Sequence, residues 1–168
     1  MRILGVDPGL RATGYAVLQG SPQGVRLLES AVIRTDDGAS LPTRLHTIYV
    51  ALIGLITRHR PDGLAVEDLY AAQRFPRTAI LMGHVRGVVC LAAAEHELPV
   101  DALSPAAAKQ AISGFGGASK AQMQSSVQRL LGIGGTVDSH ASDAAAMALV
   151  VLSRRGVPLV ALPEEAVR

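Results

Sequence analysis

Aromatic residues make up only 3% of this 168-residue chain, and tryptophan is absent. A core so poor in rings must be filled by aliphatic side chains, so each aromatic that is present stands out. The single cysteine, Cys90, excludes an internal disulfide. Set in Val88-Val89-Cys90-Leu91, it reads as a buried, inert thiol, and a reducing cytoplasm fits that usage. No apolar run reaches the ~18 residues that span a bilayer. Met1-Arg2-Ile3-Leu4 enters a strand pattern directly, without the features of a secretory leader, so a cytoplasmic location is expected. Internal repeats, low-complexity tracts and interdomain linkers are lacking too. Lysine is nearly missing: Lys109 and Lys120 are the only two, and both flank one glycine-rich stretch.

What remains is the composition of one globular domain. Apolar residues are 49% and charged residues 18% of the chain, which excludes disorder. The length is enough for a full core. The net charge is only +2, a weak argument by itself for a nucleic-acid partner. A single domain is expected over residues 1–156, followed by a flexible C-terminal tail over 157–168.

Residues 2–7 and 13–19 read as antiparallel strands about a Pro8-Gly9 turn. A third strand is expected over about 26–33. Leu45, Ile48, Leu52, Leu55 and Ile56 then recur at helical spacing to about Arg60, and Pro61-Asp62-Gly63 ends that helix. A short strand runs to Glu67. A second helix, 78–95, is apolar almost all round and so needs two burial partners, one the sheet and the other a second subunit. A strand near 99–103, a Ser104-Pro105 helix start, a flexible loop over 114–117 and helices over 120–131 and 139–154 complete the pattern. These elements imply an α/β fold: a five-stranded mixed sheet, its first three strands antiparallel and the rest parallel, with helices on both faces. If the fourth strand returns beside the first, the end of strand one is a topological switch point, where such sheets place ligands.

Asp7 and Glu67 both end apolar strands and would lie side by side there. A carboxylate in that position is costly to desolvate without a partner. His140 and Asp143 are three apart on the last helix and share a face. Ala141, Ala144, Ala145 and Ala148 would let that helix approach the sheet closely. Four oxygen and nitrogen donors from separate elements suit a metal-dependent enzyme, because paired divalent ions can activate water for phosphodiester hydrolysis. Blander readings exist for each residue alone. Asp7 before Pro8 fits a turn, Glu67-Asp68 a solvated strand end, His140 an ordinary helix position, and Asp138 a helix cap.

Taken together, GVDPGLRATGYAV, AVEDLY, KQAISGFGGASKAQ and HASDAAAMAL resemble the bacterial Holliday-junction resolvases of the RuvC family, in register from about Ile3 to Leu152. The resemblance implies an RNase H-like fold, a homodimer, and cutting of two opposed strands of four-way junction DNA in recombination and repair, leaving 5′-phosphate and 3′-hydroxyl ends. It implies two divalent cations per subunit, Mg²⁺ or Mn²⁺, held by Asp7, Glu67, His140 and Asp143, and a branch-migration partner, RuvA–RuvB. His140 stands where many members carry aspartate, and imidazole suits Mn²⁺ better than Mg²⁺. Tyr70 matches an aromatic that stacks on an unpaired base, although a partly buried loop tyrosine is the plainer reading. Lys109 and Lys120 match basic positions near the cut site. Arg74 and Arg77 suit phosphate contact, in a loop (residues 73–77) that departs from the family pattern. An RNA-cutting relative, a non-catalytic junction-binding module and an actin-like ATPase are the rivals; the last normally needs a second large domain.

Overall fold

A computed structural model describes residues 1–68, 76–135 and 137–162. The strands are β1 (Arg2–Asp7), β2 (Ala12–Ser21), β3 (Gly24–Arg34), β4 (Gly63–Glu67) and β5 (Val100–Leu103). The helices are α1 (Leu41–His59), α2 (Pro76–Ala94), α3 (Pro105–Ser113), α4 (Lys120–Leu131) and α5 (Ser139–Arg154). The sheet order is β3-β2-β1-β4-β5. Pairs β1–β2 and β2–β3 are antiparallel, while β1–β4 and β4–β5 are parallel. The expected mixed sheet is therefore present, with β1 at its centre.

Strand alternation sorts the core into two layers. Leu4, Val6, Leu64 and Val66 face one layer, which Ile48, Leu52 and Leu55 of α1 and Val85 and Val89 of α2 fill. Ile3 and Ala65 face the other, shared with Ile112, Val127 and the buried side of α5. By the same alternation, Asp7 follows Ile3 and Gly5, and Glu67 follows Ala65, so both carboxylates sit on the α5 face. Val6 pairs with Val66, which puts the two acids side by side one residue further along.

The close approach of α5 depends on glycine in the sheet. A Cβ on Gly5 would stand 2.0 Å from the Ala144 carbonyl oxygen, and one on Gly14 would stand 2.0 Å from that of His140. The alanines on the helix are only half of this fit; the strands must also be bare beneath them. Helix ends follow local chemistry. Ser40, Ser104 and Ser119 cap α1, α3 and α4 with their side chains, and Ser119 and Gln122 form a reciprocal capping box.

Two expectations are revised. Cys90 is half-buried rather than enclosed, because α2 turns part of its apolar surface outward. Residues 157–162, expected to begin a loose tail, are held: Val25 N donates to Val160 O (2.8 Å), and Leu162 N donates to Val25 O (2.9 Å). Val157 and Leu159 pack against the α5-side core, which gives this stretch its anchorage. Residues 163–168 lie outside the described residues.

Candidate active site

The site is assembled at the carboxyl ends of β1 and β4, beneath the start of α5. Asp138 caps α5: its Oδ1 accepts from the His140 backbone N–H (2.9 Å), and its Oδ2 accepts from Arg34 (3.2 Å). This cap fixes the first turn and, through it, the direction of His140. His140 Nδ1 is hydrogen-bonded to Asp7 Oδ2 at 2.7 Å, and Nε2 is the ring nitrogen outside that contact. Asp143, one turn along, receives the Lys120 ammonium at 3.0 Å. Lys120 is the first residue of α4, so the capping box at Ser119 also sets where this cation stands.

Electrostatics mark the spot as strained. Burial pushes the Glu67 carboxyl up to about 7, aided by the charges of Asp7 and Asp143 and opposed by Lys120. Burial likewise raises Asp7, with the Asp143 charge adding to it and the His140 hydrogen bond and Lys120 opposing it. Lys120 is raised by its bond to Asp143. Three acids thus feel one another across a partly dry site, a setting that favours cation binding. Among the described residues no three His, Cys, Asp or Glu side chains are already gathered as a ligand cluster. His140 is turned toward Asp7 and Asp143 toward Lys120, so those two contacts set the present side-chain directions. The donor set, three carboxylates and an imidazole, still fits a hard or borderline divalent ion.

Two openings meet here. A cleft of about 780 Å³ is lined by Asp7 and His140 and walled by Arg11, Arg34 and Arg44. A smaller cavity of about 200 Å³ is lined by Glu67, Asp143, Lys109 and Lys120. Lys109 and Lys120, far apart in sequence from Glu67, line this cavity with it. The arginine wall was missed at the sequence level. Arg11 follows the Pro8-Gly9 turn and Arg34 ends β3, and only the sheet order places them together. Arg34 is engaged by Asp138, Arg44 by Asp37, and Arg11 by Asp37. Tyr70 and Arg74 lie outside the described residues, and Arg77 is described only as backbone in α2.

Comparison with known proteins places the chain in context. The family model for Crossover junction endodeoxyribonuclease RuvC matches residues 3–151. A protein of that name from Rhodopirellula baltica is 43% identical over 147 residues, covering 88% of this chain and 82% of the relative. The solved structure described as Thermus thermophilus RuvC in complex with Holliday junction substrate superposes with a TM-score of 0.85 at 32% identity, covering 93% of this chain and 96% of that one. The yeast mitochondrial Holliday junction resolvase Ydc2 shares the fold at 14% identity and a TM-score of 0.59, covering 88% of this chain and 77% of that one.

Proposed function

The chain belongs to the RuvC family of crossover junction endodeoxyribonucleases, and from that premise we propose that it resolves four-way DNA junctions by paired, metal-dependent phosphodiester hydrolysis. The observation that carries the site assignment is the convergence of Asp7 and Glu67 beneath His140 and Asp143, with raised carboxyls on both strand-end acids. Asp7, Glu67, Asp143 and His140 through Nε2 would hold two divalent ions, Mg²⁺ or Mn²⁺. When bound, such ions supply water activation and neutralisation of charge on the phosphate.

The remaining work belongs to the chain itself. The Asp7 carboxylate, hydrogen-bonded to His140 Nδ1, fixes the orientation of that ring. Lys120 pairs with Asp143 at 3.0 Å and sets positive charge beside the place where the substrate phosphate would lie. Lys109 adds positive charge at the same cavity, where transition-state charge builds up. Tyr70, Arg74 and Arg77 are proposed as DNA contacts on the strength of the motif alone. Two subunits about a two-fold axis would each cut one strand. A cytoplasmic setting and docking with RuvA–RuvB belong to the same reading.

A synthetic mobile junction incubated with Mg²⁺ or Mn²⁺ tests it. The expected products are symmetric, ligatable nicks with 5′-phosphate and 3′-hydroxyl ends. Equal cutting of single-stranded RNA would reject junction specificity. His140→Ala should lose most activity in both metals, whereas His140→Asp should retain more in Mg²⁺ than in Mn²⁺ relative to the parent. Parental rates from His140→Ala would remove this residue from the mechanism.

A further inference from the structure

We infer that Phe115, in the loop joining α3 to α4, stacks on a nucleobase of the strand being cut and helps position it. The inference rests on the reading of this chain as a junction-cutting nuclease. Phe115 is 66% exposed in a chain with only two phenylalanines. Burying such a ring would add roughly 1.5–3 kcal/mol to stability, and the fold leaves it out. A lone exposed hydrophobe is ordinary; three further features set this one apart.

The loop holding it is built rather than slack. Gly114 takes a left-handed conformation, φ 75°, that ends α3. Ser113 Oγ donates to the Lys109 carbonyl at 2.7 Å, and the Phe115 N–H donates to Ser113 Oγ at 3.4 Å. Gln110 Nε2 donates to Gly114 O (3.0 Å), and Ala118 N donates to Phe115 O (3.1 Å). The ring lies over Gly117, where an added Cβ would come within 2.8 Å of its outer edge. The ring therefore rests against a residue that has no side chain.

Basic residues on either side of the ring reach the site. The same loop is bounded by Lys109 and Lys120, which line the cavity of Glu67 and Asp143. On its other side the ring lines a groove of about 310 Å³ with Ser113, Gln122, Ser125 and Arg129. Five residues separate Phe115 from Lys120, so their backbones are at most ~18 Å apart. That is within about five nucleotides of one DNA strand. An aromatic face between basic groups along a strand-sized track is the pattern by which proteins hold unpaired bases.

The test uses the full-length protein and a four-way junction. Phe115→Ala should lower single-turnover cleavage by about 5- to 150-fold, the span of one lost base stack, with an unchanged melting temperature. Phe115→Trp should restore the rate, and Phe115→Leu, equally apolar but without a π-face, should not. 2-Aminopurine scanned through the five nucleotides on either side of the cut should be quenched at one position by the parent protein and not by Phe115→Ala. Full activity in Phe115→Ala, rescue by leucine, or identical fluorescence at every position would overturn the inference. Failure of the parent protein to cut any junction would instead reject the functional reading on which it rests.

Discussion

At the scale of single residues, function and stability pull in opposite directions. Asp7 and Glu67 are held above the ordinary carboxylate range, so in metal-free protein their ionised forms oppose folding. A carboxyl raised on folding stabilises below its unfolded value and loses that contribution as pH climbs through the folded one. Asp7→Asn should therefore melt higher than the parent at pH 8 in chelator, while junction cleavage falls by roughly 10³-fold, since metal-site stabilisation is worth several kcal/mol. Retained junction binding, read by gel shift, would confirm that only chemistry was removed; unchanged cleavage would remove Asp7 from the mechanism. Glu29 shows the opposite sign at a distance from the site. Burial pushes it up, but hydrogen bonds from Tyr15, His59 and Arg58 together hold it below its usual value, and its charge pushes the Tyr15 phenol, already raised by burial, up to about 12. Its stabilisation is thus present at neutral pH, fades as pH falls through the depressed value, and on the tyrosine side is lost between about 10 and about 12. Glu29→Gln should cost about 1–2 kcal/mol at pH 7 and flatten the acid limb of the stability profile, measured by urea melts.

At the scale of elements, the fit of α5 against β1 and β2 decides where His140 and Asp143 point. The cost of a methyl at Gly5 or Gly14 falls on backbone carbonyls, which cannot swing aside as side chains do. Gly5→Ala and Gly14→Ala should each destabilise by about 2–4 kcal/mol, at or beyond the usual range for overpacking. Surviving Gly14→Ala protein should cleave poorly, because His140's own carbonyl must move. A melting temperature within a degree of the parent would contradict the close contact. Sequence reading reached the elements well because several carry their own punctuation: Ser-Pro before α3, Asp138 before α5, and Pro61-Asp62-Gly63 after α1. It brought Asp7, Glu67, His140 and Asp143 together as candidates because they end strands or share a helical face. It did not reach the glycine–carbonyl contacts or the arginine-walled cleft. Those depend on which strands neighbour one another and how deeply a helix sits, and neither is encoded locally. The anchored run at 157–162 was missed for a related reason: Pro158 and a terminal position outweighed the apolar Val157, Leu159, Val160 and Leu162.

At the scale of the whole molecule, one face is left unusually bare. Ile80 is 62% and Leu91 54% exposed on α2, and Val50 is 53% exposed on α1. Ile80, His84, Gly87 and Leu91 follow helical spacing on one side, and Gly87 and Gly54 have open space above them. This is the surface that suits the proposed two-fold contact, since it lies across the sheet from α5. Ile80→Glu should shift the protein toward monomer in light scattering and slow paired incision more than single nicking. A variant that remains fully dimeric would place the contact elsewhere.

The clasp between Val25 and residues 160–162 has a meaning beyond anchorage. β3 is an outer strand of the sheet, and unsatisfied amides on such a strand invite recruitment of a neighbour's backbone. By occupying the Val25 amide and carbonyl, the C-terminal run shields part of that border from polymerisation. A shortened chain ending at 156 would keep Asp7, Glu67, His140 and Asp143 intact and yet be the more prone to clump.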